Sequence, residues 1–213
     1  MNTTELKQRV LTMALQSYRE GLFAGTSGNL SQYDPEQGVA AITPSSVPYE
    51  GMTVDDIMVI SLEGTVLEGT HAPSSEWKMH TAIYKNRPDI SGVVHTHSPY
   101  ATAFATAHQG IPAALIEMIP FVGGDIPLAE FALPGTEELG EKALQVLKRR
   151  RACLLANHGV LAVGETVEKA HIHALYTEDA AKICCLARSL GGINAIPLEI
   201  QNEMRRKKGL EEE

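Results

Sequence analysis

The feature that most constrains the fold is an alternation of helix-like segments with short apolar segments of strand length. Apolar residues recur at helical spacing over about 3–20, and this first helix is predicted to end at Gly21. The later helices are predicted to begin after Pro73–Glu76 and after Ser98, and to cover about 136–149 and 166–190. The predicted strands lie at 39–43, 57–61, 65–68, 92–97 and 152–156.

This alternation predicts one α/β domain over residues 1–213. The strands at 57–61 and 65–68 are joined across Glu63-Gly64 as in a hairpin, so the sheet is not expected to be purely parallel. The charged tail over 203–213 is expected to fray.

Composition excludes several classes of protein. The 213 residues carry a formal net charge of −8, which argues against nucleic acid or an anionic membrane as a general partner. The N-terminus lacks the basic start and apolar stretch of a signal peptide, and we expect a cytoplasmic protein. Cys153, Cys184 and Cys185 include no C-x-x-C pair, so we expect buried thiols rather than disulfides or a cysteine zinc site.

His95-Thr96-His97 is the sharpest local signal of chemistry. On a strand, residues two apart project from the same face, so both imidazoles could reach one metal ion. His171 and His173 have the same spacing but lie in a predicted helix, where positions two apart diverge by about 200°. For that second pair we expect a structural role, with one histidine facing solvent or a neighbouring element.

Two further candidates are ambiguous when they are considered alone. His158 follows an apolar strand and precedes a glycine, which suits a functional group at a strand end and equally a turn. Glu76 begins a helix, where the helix dipole favours a carboxylate without any catalytic role. The remaining histidines, His71, His80 and His108, show no ligand spacing and are expected to be structural or exposed.

Five segments taken together resemble the class II aldolase/adducin-like family, with L-fuculose-phosphate aldolases as the nearest branch. They are G-T-S-G-N-L-S at 25–31, I-T-P-S-S at 42–46, P-S-S-E-W at 73–77, V-V-H-T-H-S at 93–98 and L-L-A-N-H-G at 154–159. The resemblance implies a three-layer α/β/α sandwich around a central, largely antiparallel sheet. It also implies a homotetramer with active sites at subunit interfaces, and a small-molecule sugar phosphate as substrate.

The resemblance also implies the roles of individual residues. Zinc would be held by Glu76, His95, His97 and His158, and Glu76 would double as the catalytic base. Manganese or cobalt would suit the same imidazole and carboxylate ligands. The substrate phosphate would bind six residues at turns and at a helix start: Gly28, Asn29, Ser45, Ser46, Ser74 and Ser75. Free N–H groups and hydroxyls at a helix N-terminus suit a dianion without any basic side chain.

Two departures from the family pattern bear on specificity. Fuculose-phosphate aldolases typically have glycine at the position of Ser46. They also bring a tyrosine from the neighbouring subunit in the segment that here reads Ala114–Ile119. Glu117 is the one side chain of that segment able to exchange a proton, so we predict that it is the second acid/base; an exposed loop carboxylate is the alternative.

The reaction implied is reversible cleavage of a ketose 1-phosphate, such as L-fuculose 1-phosphate, to dihydroxyacetone phosphate and an aldehyde. No lysine lies in a predicted core strand, so a Schiff-base route is not favoured. Ribulose-phosphate 4-epimerase and methylthioribulose-1-phosphate dehydratase are alternatives, and a decarboxylase of phosphorylated keto-acids is a weaker one. A non-enzymatic adducin-like interaction module is a rival of another class, but such modules have lost the metal histidines.

Overall fold

The computed structural model describes residues 2–209. Its helices are α1 (Thr3–Arg19), α2 (Trp77–Asn86), α3 (Pro99–Thr106), α4 (Met118–Val122), α5 (Glu137–Leu147), α6 (Val167–Ser189) and α7 (Leu198–Lys207). Its strands are β1 (Asn29–Asp34), β2 (Val39–Ile42), β3 (Met58–Ser61), β4 (Val66–Glu68), β5 (Gly92–Thr96), β6 (Leu128–Ala129), β7 (Ala152–Leu155) and β8 (Gly159–Gly164). A short 3-10 turn covers Val54–Asp56.

All eight strands form one sheet in the order β4-β3-β2-β1-β5-β8-β7-β6. Every neighbouring pair is antiparallel except β6 and β7, which are parallel. β5 lies at the centre between β1 and β8, far from either edge, and carries the His95-Thr96-His97 signal at its end. The expectation of a largely antiparallel sheet is confirmed.

Helices cover both faces of the sheet, so the central strands are buried on both sides. Val93 and Val94 are adjacent on β5, yet they belong to separate apolar clusters on opposite faces. One cluster includes side chains of α1, α3 and α6, and the other includes side chains of α2 and α5. This alternation follows from the two-residue period of a strand and gives the three-layer α/β/α sandwich that the resemblance implied.

The predicted helices and strands are confirmed, with ends that differ by one or two residues. The structure adds β1, β6, β8, α4 and α7, which the sequence patterns did not predict. Residues 203–207 of the tail that was expected to fray belong to α7, where Arg205 is only 2% exposed. Residues 210–213 of that tail lie outside the described residues. None of the helices in residues 2–209 has the length and apolar character needed to cross a membrane.

Candidate metal centre

The candidate ligands come from the end of β5, from the turn between β7 and β8 and from the start of α2. His95 lies on β5, directly opposite Asn29 of β1 on one side and Leu161 of β8 on the other. His97 follows the end of β5, and His158 lies in the turn between β7 and β8. Glu76 occupies the N-cap position of α2, so its carboxylate reaches the end of β5 from the helix layer.

The four side chains converge closely. Ligand atoms of His95, His97 and His158 all lie within 4.8 Å of one another. The Nε2 atoms of His95 and His97 are 2.9 Å apart. Glu76 bridges the group, since its Oε2 is 3.2 Å from His95 Nε2 and its Oε1 is 3.4 Å from His158 Nε2. The structure therefore brings together the four residues predicted as metal ligands.

The donor set fits a divalent metal ion. His95 Nδ1 lies 2.8 Å from the carbonyl oxygen of Val160 and must donate its proton there, which leaves the lone pair on Nε2. Burial, only partly offset by Glu76, lowers the pKa of His95 to about 3, so this imidazole is neutral. A neutral imidazole oriented by a carbonyl, with its lone pair aimed at two further histidines and a carboxylate, is the arrangement of a metal ligand.

Glu76 is buried at 6% exposure, and its two oxygens have different surroundings. Oε2 accepts a hydrogen bond from Asn29 Nδ2 at 2.8 Å. Oε1 has no hydrogen-bond partner among residues 2–209. Burial raises the pKa of this carboxyl, but His95, His158 and the Asn29 hydrogen bond outweigh burial and leave the pKa below its ordinary value. A buried carboxylate with one unsatisfied oxygen suits metal binding or proton transfer.

The proposed phosphate residues form the wall beside these ligands. A bridge between Pro44 and Pro73 places the turn after β2 against the start of α2. Ser45 N donates to Ala72 O at 2.9 Å, which continues this pairing. Loops distant in sequence thereby line one cleft of about 380 Å³, whose residues are Thr26, Ser27, Gly28, Asn29, Pro44, Ser45, Ser46, Ser74, Ser75, Glu76, His97, Pro134 and His158.

All six residues predicted to bind phosphate line this cleft. Among the described residues, neither lysine nor arginine lines it. At the start of α2 the N–H groups of Glu76, Trp77 and Met79 are already hydrogen-bonded, so an anion would rely mainly on hydroxyls. Sequence reasoning missed Thr26 and Ser27, although both stand in the G-T-S-G-N segment, and Pro44 and Pro134. Pro134 gave no local signal, because its position depends on a distant loop reaching the cleft.

Two of the predicted phosphate residues have features that sequence alone did not reveal. The amide of Asn29 is bonded at both ends, since one N–H donates to Glu76 and the oxygen accepts from His80 Nε2 at 2.6 Å, which leaves one N–H for a substrate. Ser46 has φ +60°, a left-handed backbone that glycine adopts without strain. Ser46 therefore has a backbone conformation that glycine adopts more readily than serine.

Glu117 is not brought to the metal centre of its own chain. It is exposed at the N-terminal end of α4 and does not line the cleft. Its carbonyl accepts the Phe121 N–H at 3.2 Å.

The other histidines have structural contacts. His171 and His173 bind different elements, as the helical spacing predicted. His171 contacts Ser17 Oγ at 2.8 Å, and His173 donates through Nδ1 to Val163 O at 2.7 Å. Both are buried, so neither faces solvent. His80 is buried, whereas the exposed residues His71 and His108 bond Asp56 and Asn157. The three cysteines are free; Cys153 and Cys184 are buried, while Cys185 is partly exposed.

Comparisons with known proteins identify the family of the chain. Residues 8–185 match the family described as the class II aldolase and adducin N-terminal domain. The chain is 34% identical over 201 residues to 5-deoxy-D-ribulose 1-phosphate aldolase of Bacillus thuringiensis serovar kurstaki, covering 94% of each chain. It is 36% identical over 211 residues to L-ribulose-5-phosphate 4-epimerase of Salmonella paratyphi A, covering 93% of this chain and 92% of the relative.

A solved structure of an L-fuculose 1-phosphate aldolase superposes with a TM-score of 0.93 at 38% identity, covering 99% of each chain. The sequence relatives and this structural neighbour carry different substrate names, but all cover nearly the whole chain. The chain therefore belongs to the class II aldolase and adducin family.

Proposed function

We propose that this chain is a metal-dependent aldolase that reversibly cleaves a ketose 1-phosphate to dihydroxyacetone phosphate and an aldehyde. The observation that carries the proposal is the convergence of His95, His97, His158 and Glu76 at a hydroxyl-lined cleft. L-fuculose 1-phosphate and similar deoxy-ketose phosphates are the candidate substrates. Two of the relatives named above are aldolases of such compounds.

These four side chains would hold the metal. Zinc is the proposed ion because imidazole nitrogen and carboxylate oxygen both suit it, while manganese and cobalt accept the same ligands. When bound, the metal supplies a Lewis acid that polarises the carbonyl and hydroxyl oxygens of the substrate.

Glu76 is proposed as the base that moves a proton at the hydroxymethyl carbon of dihydroxyacetone phosphate. Its Oε2 is fixed by Asn29, whereas its Oε1 has no hydrogen-bond partner in residues 2–209 and is the oxygen available for the proton. Burial of this carboxylate excludes water that would compete for the same proton.

The substrate phosphate is proposed to bind beside Glu76, among the hydroxyl groups of Ser45, Ser46 and Ser75. Gly28 lines the same cleft, and its φ of +78° is a left-handed backbone that glycine adopts without strain. Ser74 is only 4% exposed, and its hydroxyl accepts the Glu76 N–H at 3.3 Å. Its side chain therefore also fixes the turn that carries Glu76.

Glu117 is proposed as the acid/base acting on the aldehyde oxygen, in the active site of a neighbouring subunit. It is exposed and lies outside the cleft of its own chain, which is compatible with that placement. A homotetramer with active sites between subunits is part of the same proposal.

One alternative has a specific observation in its favour. The 36% identical relative is a 4-epimerase, an enzyme that breaks a C–C bond in the same manner and recaptures the aldehyde on its other face. Epimerases of this family usually have aspartate at the position of Glu76, which favours the aldolase. A methylthioribulose-1-phosphate dehydratase is a further alternative, because the dehydratases of this family use a glutamate from the region of Glu117.

The test is to incubate the metal-loaded protein with dihydroxyacetone phosphate and L-lactaldehyde, acetaldehyde or glycolaldehyde, and to identify products by mass spectrometry. We expect a ketose phosphate from at least one aldehyde, lost in His95→Ala. Loaded protein that condenses none of them but interconverts L-ribulose 5-phosphate and D-xylulose 5-phosphate would replace the aldolase with the epimerase.

A further inference from the structure

A continuous chain of buried polar side chains runs behind Glu76. Tyr84 Oη lies 2.6 Å from Ser31 Oγ, and Ser31 Oγ lies 2.6 Å from His80 Nδ1. His80 Nε2 lies 2.6 Å from Asn29 Oδ1, and Asn29 Nδ2 lies 2.8 Å from Glu76 Oε2. All five residues are at most 6% exposed.

The secondary structure places these residues in two facing rows. His80 and Tyr84 are spaced by four along α2, and Glu76 is the N-cap four residues before His80, so the three lie on one side of the helix. Asn29 and Ser31 are two apart on β1, so they project from one face of the strand. The chain of hydrogen bonds therefore joins α2 to β1 alternately, and it ends at the carboxylate of the metal centre.

Chemistry at the carboxylate end fixes the direction of every bond. An ionised Glu76 can only accept, so the NH₂ of Asn29 must face it and Asn29 Oδ1 must face His80. His80 Nε2 must then donate, and in the neutral ring Nδ1 must accept from the Ser31 hydroxyl. Ser31 Oγ in turn accepts from Tyr84. Burial lowers the pKa of His80 to about 4, against the opposing effect of Glu76, in agreement with a neutral ring.

We infer that His80 is a positioning residue for Glu76: by donating to Asn29 Oδ1 it holds the amide so that its NH₂ fixes Glu76 Oε2. Oε1 of Glu76 is then left as the oxygen for proton transfer. The inference deepens the proposed function and rests on it. A buried network that served packing alone would stabilise the fold without setting the rate of the proton step.

The test compares three variants at full metal occupancy. His80→Leu removes both hydrogen bonds of the ring, and His80→Gln supplies an amide N–H that can reach Asn29. His173→Leu is the matched control, because His173 is another buried helix histidine, bonded to the Val163 carbonyl and not to this chain of side chains. The readout is exchange of the hydroxymethyl proton of dihydroxyacetone phosphate with D₂O by NMR, together with KM, metal content and Tm.

We expect His80→Leu to slow exchange and kcat by roughly 10–100-fold with KM and metal content retained. His80→Gln should recover most of the rate, and His173→Leu should lose stability without slowing exchange. An unchanged exchange rate in folded His80→Leu would overturn the inference. So would a rate loss in His80→Gln or in His173→Leu as large as the loss in His80→Leu.

A spectroscopic measurement separates this inference from the proposed function and does not depend on a foldable variant. Nitrogen-15 NMR of histidine-labelled wild-type protein should show His80 protonated on Nε2, with His173 protonated on Nδ1 as the contrast. An Nδ1–H tautomer at His80 refutes the positioning role even if the enzyme is an aldolase. Wild-type protein with bound metal but no proton exchange refutes the aldolase, while the tautomer still tests the orientation of Asn29.

Discussion

Gly159 connects strand packing to the metal centre, and a single added methyl group tests that connection. It follows His158 and begins β8, opposite the end of β5. A Cβ at this position would lie 2.3 Å from the carbonyl oxygen of Thr96 and 3.2 Å from Cδ2 of His97. Real Cβ atoms essentially never approach closer than 3.0 Å, so Gly159→Ala requires a shift of roughly 0.7 Å between backbones.

That shift is larger than a metal site tolerates, because metal–ligand distances vary by only about 0.2 Å. Thr96 lies between His95 and His97, and Gly159 is next to His158, so the strain falls on three of the proposed ligands. We expect Gly159→Ala to weaken metal binding on the order of tenfold or more. Overpacking should also lower the free energy of unfolding by roughly 1–3 kcal/mol.

Gly92→Ala is the matched control. Its Cβ would lie 2.2 Å from the backbone carbon of Thr166, an equally severe clash, and Gly92 pairs with Gly164 at the other end of the same two strands. Metal affinity is measured by competition with a chromophoric chelator at a temperature where both variants are folded, and stability by urea unfolding. Both variants should lose stability, but only Gly159→Ala should lose metal affinity. Equal metal affinities in the two variants would refute the reasoning.

Three further predictions follow from the same contacts. His95→Ala should abolish stoichiometric metal in elemental analysis, whereas His173→Ala should retain it; equal metal contents would exclude His95 as a ligand. Ser46→Gly should leave the Tm nearly unchanged because the φ of +60° suits glycine, while raising KM for dihydroxyacetone phosphate; an unchanged KM would remove Ser46 from the phosphate site. In metal-free protein, neutral His80 contributes to the free energy of unfolding at neutral pH, and this contribution is lost as the pH falls. The reason is that burial lowers the pKa of His80 in the folded chain to about 4, whereas the unfolded chain binds the proton near pH 6.5. Between pH 7 and pH 4 the free energy of unfolding of His80→Gln should therefore fall by roughly 3 kcal/mol less than that of wild type. Urea unfolding measures it, and the same fall in both proteins would contradict this.

Sequence patterns predicted the elements that have a strong local period. The first helix and the long helix α6 were predicted to within about one residue, because their apolar positions and terminal glycines are local signals. β8 was missed, since its sequence Gly-Val-Leu-Ala-Val-Gly is a short apolar run that becomes a strand only by pairing with β5 and β7. The strand order likewise depends on pairing between distant segments.

The four proposed metal ligands were predicted from sequence because five motifs occur together, although Glu76 and His158 were ambiguous alone. Sequence could not predict that the two oxygens of Glu76 differ, with Oε2 hydrogen-bonded and Oε1 without a hydrogen-bond partner in residues 2–209. This difference depends on Asn29, which is 47 residues away along the chain, and on the burial of both side chains. The contact of His80 with Asn29 was missed for the same reason, since a buried histidine on a helix gives no sign of its partner.

The most direct test of the central claim is the condensation of dihydroxyacetone phosphate with acetaldehyde or L-lactaldehyde by metal-stripped protein as zinc is added back. Ketose phosphate formation should be absent without metal, should rise in proportion to added zinc up to one equivalent per chain, and should not appear in His95→Ala. Condensation at the full rate in metal-free protein, or its absence in wild-type protein with one bound zinc per chain, would contradict the account.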